Sequence, residues 1–490
     1  MIALLLLGGC NTVISDNTSY ADDNEEAATA YNLSFDGSDA SYEVNGSTYI
    51  TLGDEDVKIT KAGTYILQGT LNNASIIVEV DKSEDVQLVL DNVTINSGDF
   101  AGIYIIEGDE ITITLADDSV NTISDSGSYT QIDDNSVDAL IYSKADLIIN
   151  GNGTLILSSA YNHGIVSKDD LIITGGTYDI DVAGQGLSGK DCLLIQDGNF
   201  NIVAGKDALK SDNSEDEYRG YIYISGGDFK IYTGADAIYG YNLVNIEGGS
   251  FDITTAKSSN ADSYKAIKSE YAITISGGDI NIDSVDDGIH SNGDVTITGG
   301  NLYIESDDDG IHADALVQID DGEITIIAHE GIEGTYVLIN GGNINITASD
   351  DGINAAQKVN TYTPTIEVNG GYLTIVMGSG DTDGLDSNGY IIVNGGTIDV
   401  SGMNTFDAEL GSEYNGGTII VNGSVVDEIP EDMMGGSFGG FGGQNHGQGN
   451  NSGQMPGFGE NNGYGWDTDD DESSASQFPG GFSGHHHGGH

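Results

Sequence analysis

From about residue 160 onward the chain repeats one texture: short runs of alternating apolar and polar residues, punctuated by Gly-Gly or Asp-Gly pairs. The pairs begin at 175, 197, 226, 248, 277, 299, 321, 341, 370 and 395, in steps of 22, 29, 22, 29, 22, 22, 20, 29 and 25. Ahead of them stand Leu171/Ile173, Leu193/Ile195, Ile222/Ile224, Val244/Ile246 and Ile273/Ile275. After them stand Tyr178/Ile180, Phe200/Ile202, Phe229/Ile231, Phe251/Ile253 and Ile280/Ile282. Alternation with period two buries one face of a strand. A third short element follows, as in Gly186-Leu187, Ala208-Leu209, Ala237-Ile238, Gly288-Ile289 and Gly310-Ile311. Three short strands in a coil of about 22 residues predict an all-β fold, a right-handed single-stranded parallel β-helix. Equivalent positions then stack about 4.8 Å apart from coil to coil. Tyr178, Phe200, Phe229 and Phe251 share one column and are read as core rather than as a sugar platform. No stretch carries helical periodicity.

The same texture, less regular, runs through 31–160 in Val86/Leu88/Leu90, Ile111/Ile113/Leu115 and Leu155/Leu157. That segment is assigned to the first coils with an N-terminal cap, and Ile419-Ile420-Val421 to the other end, capped near residue 429. The β-helix domain is therefore 31–430. Residues 431–490 are rich in Gly and Asn, end in a histidine cluster, and read as a disordered tail. Residues 11–30 are polar and acidic and read as a flexible tether. Before them, apolar residues 2–7 lead into Leu7-Gly8-Gly9-Cys10, which looks like a lipobox with Cys10 as the lipidated residue, although no basic region precedes it. The expected location is extracellular, on the cell surface, with the membrane engaged only through that anchor.

Charge narrows the partners. Among 490 residues, 14 are Lys or Arg and 79 are Asp or Glu, a formal charge of −65. Nucleic acid is excluded, because its binding needs basic patches that displace counterions. Any anionic partner needs a bridging cation. Of two cysteines, Cys192 opens an apolar run and is read as a small buried hydrophobe.

The corner before each third strand is acidic: Asp207, Asp236, Asp286-Asp287, Asp307-Asp308-Asp309, Glu330, Asp350-Asp351, Asp383 and Asp407. Stacked carboxylates repel one another, and Ca²⁺, a hard ion that takes six to eight oxygens, would relieve that. The plainer alternative is a solvated corner where Asp favours the turn. Most of Lys168, Lys190, Lys210, Lys265 and Lys268 are expected to neutralise the ladder. A second candidate is the insertion holding Asp212, Ser214 and Asp216, whose oxygens alternate along a loop without the full EF-hand pattern. His290 and His312 recur in two Asp-Gly-Ile-His repeats; they read as a solvent-facing ladder pair, with contact to a sugar or a soft metal as the alternative. Tyr221, Tyr223, Tyr239, Tyr241, Tyr264, Tyr271 and Tyr303 are outward aromatics available to stack on sugar rings, with Tyr223, Tyr239 and Tyr303 the favoured positions.

These residues resemble the bacterial secreted carbohydrate-binding domain-containing proteins. The match is carried in order by Asn162-His163-Gly164-Ile165-Val166-Ser167-Lys168-Asp169, Gly189-Lys190-Asp191, Asp207-Ala208-Leu209-Lys210-Ser211-Asp212-Asn213 and Asp286-Asp287-Gly288-Ile289. The resemblance implies a calcium-bearing right-handed parallel β-helix similar to pectate lyases, which binds plant cell-wall polysaccharides such as cellulose and acidic pectin-like chains. It implies calcium ligands at Asp207, Asp212, Asp286 and Asp287.

Three functions follow from the sequence. The favoured one is a monomeric calcium-dependent polysaccharide-binding module. The second is a lyase cleaving uronate polymers by β-elimination, with Lys210 or Lys268 as the base. Nearby carboxylates count against it, because they raise a lysine pKa. The third is a structural surface adhesin.

Overall fold

In Asn199–Ala204 every second side chain is buried, and Thr177–Val182, Asp228–Thr233, Asp279–Ser284 and Asn301–Ser306 repeat the pattern. The computed structural model describes residues 31–430 apart from 36, 38, 258–262 and 379–381. Cys10, the 11–30 tether and the 431–490 tail lie outside the described residues. Among the described residues there are 43 strands and no helix.

Strands pair in parallel with partners one coil away. Thr177–Val182 pairs with Asn199–Ala204, which pairs with Asp228–Thr233, which pairs with Ser250–Thr255. A coil thus contains a first strand such as Cys192–Ile195, a second such as Asn199–Ala204 and a third such as Leu209–Ser211. Each stacks on its equivalent to give three columns. The step is 22 residues from Asp179 to Asn201, 29 from Asp252 to Asn281 and 20 from Glu323 to Asn343, each spanned by a side-chain hydrogen bond. The chain turns back in an antiparallel hairpin, Thr418–Val421 with Ser424–Val426, which closes the stack of parallel strands.

The core lies between the columns. Tyr178, Phe200, Phe229 and Phe251 stack face to face, with centroids 4.8, 4.6 and 4.6 Å apart and planes within 4° of parallel. Ile280, Leu302 and Ile324 continue the file. Two glycine positions show what the repeat demands. Gly249 has φ +107°, and a Cβ there would sit 2.9 Å from the Gly227 carbonyl oxygen. At Gly310, before a third strand, a Cβ would lie 2.3 Å from Ile326 Cγ2.

First strands from Asp146–Gly151 to Leu243–Ile246 are largely apolar on both faces, and both are covered, whereas later ones such as Asp294–Ile297 alternate. Inward residues join the core. Outward residues Ile148, Ile172, Leu194, Tyr221, Tyr223 and Leu243 form a second cluster under Tyr31, Leu33 and Phe35. Tyr221 Oη donates to the Asn32 carbonyl at 2.6 Å, and Asn150 Nδ2 to that of Gly37 at 2.8 Å. The first described residues, 31–35 and 37, are therefore a strap laid across several coils, not a coil of their own. This corrects the reading of Tyr221 and Tyr223 as outward sugar-stacking residues. Phe35 stacks on Tyr223, centroids 5.4 Å apart, and Tyr223 is buried.

Candidate functional site

Most third strands are three residues long, though Ile311–Ile319 and Ile332–Ile339 run on into the next first strand, and their second residues point outward in one file. In register these are Lys210, Tyr239, Lys268, His290, His312, Glu333, Asn354, Asp386 and Asp407. Beside them runs the corner file Asp207, Asp236, Lys265, Asp287, Asp309, Glu330 and Asp351. It is set by backbone bonds such as Ala237 N to Lys265 O and Gly288 N to Asp309 O. The small residue that follows each corner lets coils approach closely enough for the two files to mesh.

The acid ladder is thus a charge-paired seam. Lys210 Nζ lies 2.9 Å from Asp207, Lys268 Nζ 3.7 Å from Asp236, and Lys265 Nζ 2.9 Å from Asp286 and 3.3 Å from Asp287. Tyr239 sits between Lys210 and Lys268, whose ammonium groups are 5.2 and 5.3 Å from its ring centre, so it is engaged by cations and not free for a sugar. Burial pulls the Lys210 ammonium pKa down, but Asp207, then Asp212 and Asp236, outweigh it and hold the pKa above its ordinary value. Burial pushes Asp287 up, yet the His290 hydrogen bond and Lys265 overcome it and bring the carboxyl down to about 2.

His290 and His312 stack with ring centroids 4.6 Å apart. Their expected solvent-facing placement is corrected: His312 is buried and His290 half-buried. His290 Nδ1 is 2.6 Å from Asp287. His312 Nδ1 is 2.7 Å from Asp309 and 2.9 Å from Glu333. Burial would lower the His312 pKa, but hydrogen bonds to Asp309, Asp314 and Glu333 raise it to about 12.

The candidate calcium ligands separate into two sets. Asp286, Asp287 and Asp308 come together, with one oxygen of each within 4.8 Å of the others, and Asp350 groups with His329 and Glu330. Burial, then Asp287 and Asp286, raise the Asp308 pKa, a sign of crowded negative charge. The all-oxygen donors fit a hard ion such as calcium, with Lys265 the competing cation. The insertion loop does not converge on a common centre. Asp212 pairs with Lys190 at 2.9 Å, and Asp216 pairs with Arg219 at 3.7 Å. Ser214 is exposed, and the Asn213 side chain closes the loop on itself through Glu215 N and Asp216 N. Asp207 and Asp236 are held by lysines, Asp309 by His312, and Asp307 is exposed. Asp351 accepts from Asp383 N at 2.9 Å.

A further all-oxygen group, Asp146, Asp169 and Asp170, was not anticipated. Burial, then Asp169 and Asp170, push Asp146 up to about 7. Its signal in the sequence is the doubled Asp169-Asp170, one coil from Asp146.

The second-strand sheet presents the open face. Tyr303 is 40% exposed there, between Asn281 and Thr325. Tyr232, 50% exposed, was missed although alternation in Asp228-Phe229-Lys230-Ile231-Tyr232 places it outward beside Lys230. Two shallow depressions border these strands. One, of about 290 Å³, is lined by Asn199, Asn201, Asp228 and Lys230. The other, of about 420 Å³, is lined by Asp181, Val203, Tyr232 and Lys257.

A family model described as carbohydrate-binding domain-containing protein matches residues 53–310 and 301–428. A carbohydrate-binding domain-containing protein of Acetivibrio thermocellus is 34% identical over 207 residues, 42% of this chain and 72% of that one. Among solved structures, a polysaccharide lyase-like protein from C. thermocellum, a gadolinium derivative, is 32% identical. It covers 48% of this chain and 96% of its own, with a TM-score of 0.41.

Proposed function

The chain belongs to the carbohydrate-binding domain-containing protein family, and from that membership we propose an extracellular, calcium-dependent polysaccharide-binding protein. Its ligands are plant cell-wall glycans such as cellulose or polygalacturonate, held along the outer face of the second-strand sheet. The observation that carries this reading is the pair Tyr232 and Tyr303, exposed on the one column that neither the strap nor the charged seam occupies. They lie three coils apart and two residues apart along the strand, about 16 Å at ordinary strand spacings. That is room for a short run of sugar rings crossing the strands obliquely, with an aromatic side chain near each end. Lys230 and Lys257 offer positive charge to an acidic sugar at the same face.

Calcium would be held by Asp286, Asp287 and Asp308, where it would supply fixed positive charge to a surface of opposite sign. Cys10, as a lipidated N-terminus, would place the module at the cell surface. β-Elimination needs a lysine free of its proton. Asp207 works against that at Lys210, and Lys268 is shared between Asp236 and Glu270. Binding without bond cleavage is therefore the reading the charges favour.

The test is depletion of the purified chain from solution by insoluble polygalacturonate and by cellulose, with calcium and with a chelator. Binding that falls on chelation supports the reading, and retention of the chain in solution with both glycans contradicts it.

A further inference from the structure

The seam holds one nitrogen-bearing cluster whose three residues are all buried. His312 Nδ1 faces two carboxylates, Asp309 at 2.7 Å and Glu333 at 2.9 Å, and one ligand atom of each of the three residues lies within 4.8 Å of the others. Asp309, His312 and Glu333 are 7, 8 and 6% exposed. Buried carboxylates around an imidazole nitrogen demand a positive centre between them.

Two further features aim the rings at that centre. The far nitrogen of His312, Nε2, is held by Asp314 at 3.3 Å. The far nitrogen of His290 is held by the Asn292 side-chain oxygen at 2.8 Å. A ring that donates its far N–H to an oxygen is fixed in tautomer and orientation, with the near nitrogen turned inward; metal-binding histidines are held this way. His290 then stacks on His312, its own Nδ1 facing Asp287 at 2.6 Å one coil away, and Asp287, His290 and His312 each bring one ligand atom within 4.8 Å of the others. The pattern is encoded twice, in Asp287-Gly-Ile-His290-Ser-Asn292 and Asp309-Gly-Ile-His312-Ala-Asp314. The groups Asp287-His290-His312 and Asp309-His312-Glu333 share His312.

We propose that His312, Asp309 and Glu333, with His290 on the adjoining coil, form a site for a divalent transition-metal ion of the zinc or cobalt type. Imidazole nitrogen selects such ions over calcium, and mixed nitrogen and carboxylate donors suit their four-coordinate preference. The ion takes the place of the proton on His312 Nδ1 that the two carboxylates share, so one proton leaves for each ion bound there. Lys358 Nζ, 3.1 Å from Glu333 Oε2, is the resident competitor for that carboxylate. The inference does not rest on glycan binding, and it touches the candidate calcium group only through Asp287, the partner of His290 Nδ1.

The test uses the full chain with the tail residues His446, His485, His486, His487 and His490 replaced by Ala, since those would bind the same ions. Co²⁺ alone is added and visible absorption is followed. The expected result is a saturating band at one ion per chain, abolished by Zn²⁺ and unmoved by a tenfold excess of Ca²⁺. His312→Asn should weaken Co²⁺ at least about tenfold. Lys358→Met keeps every ligand, frees Glu333 and should tighten binding several-fold. Absence of the band, its loss to Ca²⁺, or equal affinity in a folded His312→Asn chain overturns the proposal. If His312→Asn fails to fold, Lys358→Met decides, and an unchanged affinity there overturns it.

Discussion

Phe200 and Phe229 lie face to face, their ring centroids 4.6 Å apart and their planes 3° from parallel, although a whole coil of sequence separates them. The contact exists because Asn199–Ala204 and Asp228–Thr233 pair in register, so every residue of one strand meets its equivalent in the next. The insertion between them is ejected at a corner and leaves the stack untouched.

Loss of one ring from this file should be costly. Phe229→Ala removes a buried ring with aromatic neighbours on both sides, and the expected loss is about 3–5 kcal/mol. Phe229→Leu should cost less, because Leu302 occupies the same file elsewhere. Urea unfolding of the two variants checks this; equal midpoints for wild type and Phe229→Ala would contradict the stacked core.

Much of this was legible in the sequence, and the failures have one origin. Period-two alternation marks which side of a second strand is buried, so the Phe column, the corners and the three-strand coil could all be read. The first strands beneath the strap do not alternate. Cys192-Leu193-Leu194-Ile195 is apolar on both faces, which means cover on both faces, and that cue was not applied to Tyr221 and Tyr223. The lysines that neutralise the acid ladder were legible as well: Lys210, Lys265 and Lys268 pair with Asp207, Asp286 and Asp236. His312, read as solvent-facing, meets Asp309 and Glu333 only after stacking. The asparagine ladder escaped for the same reason. Asn369 donates to Asn340, Asn394 to Asn369 and Asn415 to Asn394, each at 2.8 Å.

The strap should be separable from the rest. Phe35→Ala removes the ring stacked on Tyr223 and should cost about 1 kcal/mol locally. Amide exchange in Tyr221–Ile224 is expected to rise while the Phe229 column stays protected. Unchanged exchange there would mean that the strap contributes nothing to its cover.

Acid should relieve one part of the third-strand file. Burial, then Asp351, Asp383 and Asp407, hold the Asp386 carboxyl up at about 7, against about 3.9 in an unfolded chain. The folded state therefore binds this proton more tightly. Its contribution to stability is intact below pH of about 4 and is lost as pH rises towards 7. Asp386→Asn should stabilise the protein at pH 8 by on the order of 1 kcal/mol, a figure discounted for partial exposure, and leave it little changed at pH 4. Thermal melts at the two pH values check the sign; a greater gain at pH 4 would contradict it.

The central claim is that sugar binds on the second-strand face. Its most direct test is the binding isotherm of the full chain on insoluble polygalacturonate and on cellulose, beside those of Tyr232→Ala with Tyr303→Ala and of the buried control Tyr223→Phe. Removing two exposed rings is expected to weaken binding about tenfold or more, with the fold retained. The control should match wild type. Equal affinity in the double variant, or loss in the control alone, would place the glycan elsewhere and contradict the account.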